Sequence, residues 1–186
     1  MSLIRVDKIT GKSGTDSGAP ITFSGDVISI DQPGHVIQTK SGSNNTEAYS
    51  ESTGFVSCNL NCTITPTSAS SKIFIICNTS GYSNSGSSQV SYYTIYRDST
   101  DLGLTTHIGY ANIYQGSGSG HDLGTNLCIS ELDSPNTSSA VTYTLRVRTS
   151  SSSHTAYWSM NNSRSDITVM EIAGWFQKKE MQYVHW

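Results

Sequence analysis

Eight residues, Val141–Arg148, constrain the fold of this chain more than any other stretch. In Val141-Thr142-Tyr143-Thr144-Leu145-Arg146-Val147-Arg148 the apolar side chains take every second position. Thr142, Thr144, Arg146 and Arg148 take the positions between them. A period of two belongs to an extended strand with one face buried and the other in water. The alternation returns at Ala156, Trp158 and Met160 after a serine tract. Beyond Asn161-Asn162-Ser163, the run Ile167–Ala173 is apolar enough to read as a mostly buried final strand. Nothing between residues 130 and 174 has the pattern of a catalytic site. The stretch reads as the back end of an antiparallel β domain.

The preceding residues continue the pattern. Gly54-Phe55-Val56 and Cys58–Ile64 read as one strand, and Thr65–Ser71, with Pro66, reads as a turn. Lys72–Cys77 is a continuous apolar run of strand length, expected to be covered on both faces. Residues 79–88 read as a Gly/Ser/Asn loop. In Val90–Arg97, Tyr92, Thr94 and Tyr96 share one face while Tyr93 and Ile95 share the other. Arg97–Gly103 has hairpin chemistry. Residues 104–124 read as a long loop, Leu127–Leu132 as a strand, and Asp133-Ser134-Pro135-Asn136 as a tight turn. About eight short strands and no evident helix predict an antiparallel β-sandwich or jelly roll.

Composition narrows the function classes. Charged residues make up 13% of the 186, and the net charge of -3 does not suit a nucleic-acid partner. Ser, Thr, Gly and Asn dominate, but ten Tyr and the β-branched runs argue against a disordered polar tract. No segment is apolar enough for a signal peptide or a bilayer span. Synthesis in the cytoplasm without the usual export route, and no membrane insertion, are the expectations. Cys58, Cys62, Cys77 and Cys128 then read as reduced thiols, with Cys58 and Cys62 on one strand face.

The chain divides into three parts by pattern. Residues 1–33 alternate short β-prone tracts, including Leu3-Ile4-Arg5-Val6 and Ile21-Thr22-Phe23, with turn material. None of these tracts can bury itself, so the segment reads as an arm that docks or intertwines through Leu3, Ile4, Val6 and Phe23. Residues 34–174 form the β domain. Residues 175–186 are an aromatic tail, in which Trp175, Phe176, Tyr183 and Trp186 are candidate interface residues.

A series of motifs carries a resemblance: Leu3–Ile9, Ile37-Gln38-Thr39, Ser71–Ile75, Tyr96–Gly103, Leu132–Thr137, Thr142–Leu145 and Ile167–Ile172. Together they resemble the small tail-fibre-like virion proteins of tailed bacteriophages, especially marine and cyanobacterial ones. The resemblance spans nearly the full length. It implies a virion component that is made in the host cytoplasm, is held by tail, portal-proximal or capsid proteins, and contacts the host surface. It implies no catalytic residues. The closing strand is also loosely similar to the last strand of trimeric jelly rolls of the tumour-necrosis-factor and complement-C1q type, which suggests a homotrimer.

On that reading the receptor contacts, a host surface glycan among the candidates, fall at the loop tips, with Tyr110, Tyr114, His121 and Asp122 as the candidate residues. The alternative is a capsid head-decoration protein. A weaker one is a glycan-depolymerising spike, which would need two facing carboxylates. Weaker too is a carbohydrate-binding module unrelated to phage. No cofactor or metal is expected. Five His include no two at ligand spacing, and His121-Asp122 is only a pair. Gly116-Ser117-Gly118-Ser119-Gly120 lacks the Lys-Ser/Thr that a phosphate loop requires.

Overall fold

A computed structural model describes residues 34–84, 89–103, 110–116 and 123–174. The chain divides into two units, Met1–Asp31 and Gln32–Trp186, and every described residue belongs to the second. Expectations for Leu3, Ile4, Val6, Phe23, His121, Asp122, Trp175, Phe176, Tyr183 and Trp186 lie outside the described residues.

The described chain is all β. Its strands are β1 (Val36–Asn44), β2 (Ala48–Ser50), β3 (Val56–Ile64), β4 (Lys72–Asn84), β5 (Gln89–Arg97), β6 (Thr100–Asp101), β7 (Ala111–Gln115), β8 (Leu123–Asp133), β9 (Val141–Thr149), β10 (Thr155–Trp158) and β11 (Ser165–Ile172). All pair antiparallel, in two sheets that face each other as a β-sandwich.

The first sheet is built on β4. Along one edge β8 pairs with it from Ile73↔Asp133 to Ser83↔Leu123. Along the other edge β11 takes the first half and β10 the second. β1 flanks β11 and β2 flanks β10. The second sheet runs β3-β9-β5, with β6 and β7 in succession on the far edge of β5.

Alternation decides which side chains fill the gap between the sheets. In β9 the odd positions Val141 to Thr149 are buried and the even ones half-buried, as the sequence period requires. β3 buries Cys58, Leu60, Cys62 and Ile64, so the two thiols do share a face. Tyr93 and Ile95 enter from β5, and Ile73, Ile75, Cys77, Ile167 and Val169 come from the first sheet. Gly42 lets the sandwich close at the β1–β3 corner. A Cβ there would stand 2.1 Å from the Asn61 carbonyl oxygen, so no larger residue fits without moving backbone.

Four expectations need correction. Residues 79–84 are strand, because β4 runs on to Asn84 with β8 paired beside it. The stretch 104–124 is not one loop: it contains β7, which pairs with β5 from Tyr93↔Ala111 to Gln89↔Gln115, and the start of β8. Met160 does not extend the alternation of β10, since it opens a 3-10 turn, Met160–Asn162. Finally, among the described residues β4 is covered on one face only, and β11 beside it buries only alternate positions. Phe74, Ile76, Met170 and Ile172 are only half-buried on the outward side.

The 3-10 turn belongs to a pair of bulges. Between Trp158↔Gly81 and Asp166↔Asn78, the chain leaving β10 advances eight residues while β4 advances three. The surplus is looped out through left-handed Ser159, Asn161 and Asn162, at φ 52, 55 and 57. β1 and β2 break at the same level. Glu47 latches the two breaks: its N–H donates to Asn162 Oδ1 at 3.1 Å, and its carboxylate accepts from Asn161 N–H.

Candidate interaction surface

Five described carboxylates are bonded into the framework. Asp133 of β8 accepts from Arg97 Nη1 at 2.8 and 2.7 Å and from the Tyr143 hydroxyl at 2.7 Å, tying the two sheets at one end. Burial, then that carboxylate, pushes the Tyr143 hydroxyl above its usual range. Asp101 accepts from Thr94 Oγ1 at 2.7 Å and from Gly103 N–H at 2.9 Å. Asp98 accepts from Thr142 N–H at 3.0 Å, and Asp166 from Asn78 Nδ2 at 3.1 Å. Glu171 is fully buried and accepts from Gln38 Nε2, Thr67 N–H, Thr67 Oγ1 and Ser71 Oγ, all at 2.7 Å. Among the described residues no three His, Cys, Asp or Glu are grouped to hold a metal ion.

The thiols divide by environment. Burial raises Cys58 well above the usual thiol range and pushes Cys77 up to about 12, so neither offers a thiolate near neutrality. Cys128 is exposed on the outward side of β8.

Of the residues named from sequence as receptor contacts, two are described, and they differ. Tyr114 projects from β7, 57% exposed. Tyr110 packs against the core, and its hydroxyl donates to the Leu102 carbonyl at 2.6 Å.

Loop chemistry did not indicate a further organised surface, the outward face of the first sheet. Register places Thr39, Met170, Phe74 and Leu132 in one row across β1, β11, β4 and β8. The next row toward the bulges is Ser41, Thr168, Ile76 and Ser130, and on the other side Val36 lies beside Ile172. Leu132 is 55% exposed and Val36 51%. Past the bulges three tyrosines cross the same face. Tyr157 lies 5.5 Å from Tyr49 and 5.0 Å from Tyr82 between ring centroids, and Tyr49 is 62% exposed. Between the two aromatic and apolar zones lies an open cleft of about 360 Å³, lined by Asn78, Asn126, Cys128, Ser163 and Arg164 among others. The signal in the sequence was the apolar run Lys72–Cys77, whose even positions make this face.

The outward face of the second sheet is finished differently. The Arg146 guanidinium lies 4.0 Å from the centre of the Tyr96 ring, and Arg148 lies 4.1 Å from Tyr92 and 5.3 Å from Phe55. The arginines cover the rings, and Thr63 and Thr142 hydroxyls bond across the strands at 2.8 Å. Apolar surface there is roofed by the chain's own charged side chains.

No protein-family model matches the sequence, and no curated protein does. Solved structures of infectious bursal disease virus are similar at low identity. The Gt strain structure is 11% identical over 94% of this chain and 56% of that one, with a TM-score of 0.38. A mutant VP2 protein in derived T=1 particles is 13% identical over 83% of this chain and 41% of that one, with a TM-score of 0.34. The T13 viral particle structure is 12% identical over 85% and 41%, with a TM-score of 0.32. This chain spans about half the length of the solved chains it matches. A likeness of that depth leaves function to the residues themselves.

Proposed function

We propose that the chain is a non-enzymatic structural protein of a bacteriophage virion: a homotrimeric fibre or appendage, docked to the particle by residues 1–33, with the β-sandwich directed at the host surface. The observation that carries this reading is the division of labour in the sandwich. Most of its described carboxylates hold the framework, while most of its exposed apolar and aromatic side chains lie on an ordered outward sheet face. Such a surface supports contact with macromolecules better than it supports bond-breaking chemistry. The motifs that resemble tail-fibre-like virion proteins agree with it. Tyr114, exposed on β7, is the described residue best placed for receptor contact.

Imaging purified particles, with and without residues 1–30 of the chain, tests the reading. Density on a tail or appendage, lost on deletion of residues 1–30 while the truncated protein stays folded and soluble, is the expected result. Density spread over the capsid shell would instead make the protein a head-decoration protein. Normal incorporation of the truncated chain would move docking away from the arm.

A further inference from the structure

We infer that the outward face of the first sheet is the seam between copies of this chain, and that its occupant is a second copy. The inference rests on the trimeric reading above and names the surface that reading requires. Three observations point the same way.

First, β4 and β11 have the composition of strands covered on both sides, yet among the described residues only one side is covered. Phe74, Ile76, Met170 and Ile172 are half-buried, and Val36 and Leu132 at the flanks are more than half exposed. The second sheet roofs its outward rings with Arg146 and Arg148, so the fold has a means of finishing a solvent face and does not use it here.

Second, the face carries little charge outside the cleft, where Arg164 lies. Across the paired outward rows of β1, β11, β4 and β8 only Lys72 and Asp166 are charged, and each is already bonded, to Ser134 Oγ and from Asn78 Nδ2 respectively. A partner chosen by charge would find little to recognise there, whereas the apolar and hydroxyl-bearing surface of another copy needs none. Hydroxyl groups of Thr39, Ser41, Thr168 and Ser130 fill the intervals and bond equally well to copies of themselves.

Third, β8 has no sheet partner beyond β4 among the described residues and carries Leu132 at its exposed side. An unpaired eleven-residue edge is an aggregation hazard unless covered. Cyclic packing of the β8 edge of one copy beside the β4–β11 face of the next covers both at once, and closes after a fixed number of copies.

The test uses the full chain. The double variant Leu132→Glu, Met170→Glu puts carboxylates on the seam at positions that leave the interior untouched, and Tyr114→Glu on β7 is the control. Light scattering is expected to report three chains for the parent and for Tyr114→Glu, and one for the double variant. The double variant is expected to keep the parent's far-ultraviolet circular dichroism. The thiol of Cys128, on the same face, is expected to label at least tenfold faster in the double variant. The milder Leu132→Ser, Met170→Ser pair gives the same readout if the double Glu variant does not fold. A double variant that keeps the parental mass and labelling rate overturns the seam while leaving the trimer standing. Dissociation by Tyr114→Glu as well overturns it too. A monomeric parent overturns the trimer itself.

Discussion

Glu171 is the residue on which one end of the sandwich depends. It stands on β11, fully buried, with four donors from β1 and from the Thr65–Ser71 turn around its two oxygens. Burial alone would raise its pKa; the hydrogen bonds from Gln38, Ser71 and Thr67 outweigh that and hold it below the ordinary value of 4.5. The folded value therefore lies below the unfolded one. Its contribution is fully present above about pH 4.5 and is lost as pH falls through the depressed folded value. Glu171→Gln keeps the shape but replaces an acceptor with an amide group facing donors. It is expected to cost about 1–3 kcal/mol at pH 7. Denaturant melts at pH 7 and at pH 3 check this: the gap between parent and variant should narrow at the acid end. An equal gap at both pH values would remove the carboxylate from the acid response.

The twin bulges show what an element can do that its sequence barely announces. β10 and β11 follow each other along one edge of β4, and Glu47 bridges the looped-out residues to the break between β1 and β2. Glu47→Ala is expected to lower stability by about 1 kcal/mol, the worth of a charge-assisted bond at a solvent-accessible site, without changing the sheet. Amide exchange should rise at Asn161 and nowhere in β4. Alternation makes β9 and β5 legible in the sequence, because each buries one face in the core. It failed at residues 79–84, since Ser, Gly and Asn look like loop when their strand is defined by partners about 40–48 residues downstream. It also failed at Ala111–Gln115, a short edge strand whose polar neighbours mask it. The outward seam was half legible. The run Lys72–Cys77 signalled cover on both faces, but no single sequence says what lies on the far side. Loop composition points to Tyr110 as a receptor contact, whereas its hydroxyl is fastened to the Leu102 carbonyl.

At the scale of the whole molecule, the aromatic composition of 175–186 supports a prediction about assembly. Each large apolar side chain left in water forgoes roughly 1.5–3 kcal/mol of burial. Deleting 175–186 is expected to weaken association far more than it disturbs the strands, so that melting becomes concentration-dependent at higher protein concentrations than in the parent. An equally tight assembly that merely melts a few degrees lower would make those residues a cover for their own domain. The topology also sets a timetable for biosynthesis. Among the described strands β1 has one ladder partner, β11, which is itself the wedge between β1 and β4. About 120 residues separate the two, and at roughly 5–20 residues per second a ribosome needs on the order of 6–24 seconds to make them. Throughout that interval β1 has no ladder and one edge of β4 stands open over half its length. The sandwich therefore cannot close until β11 has been made, and a message cut short before Ser165 yields a chain with its central sheet unmade, exposed to proteases and to neighbouring nascent chains.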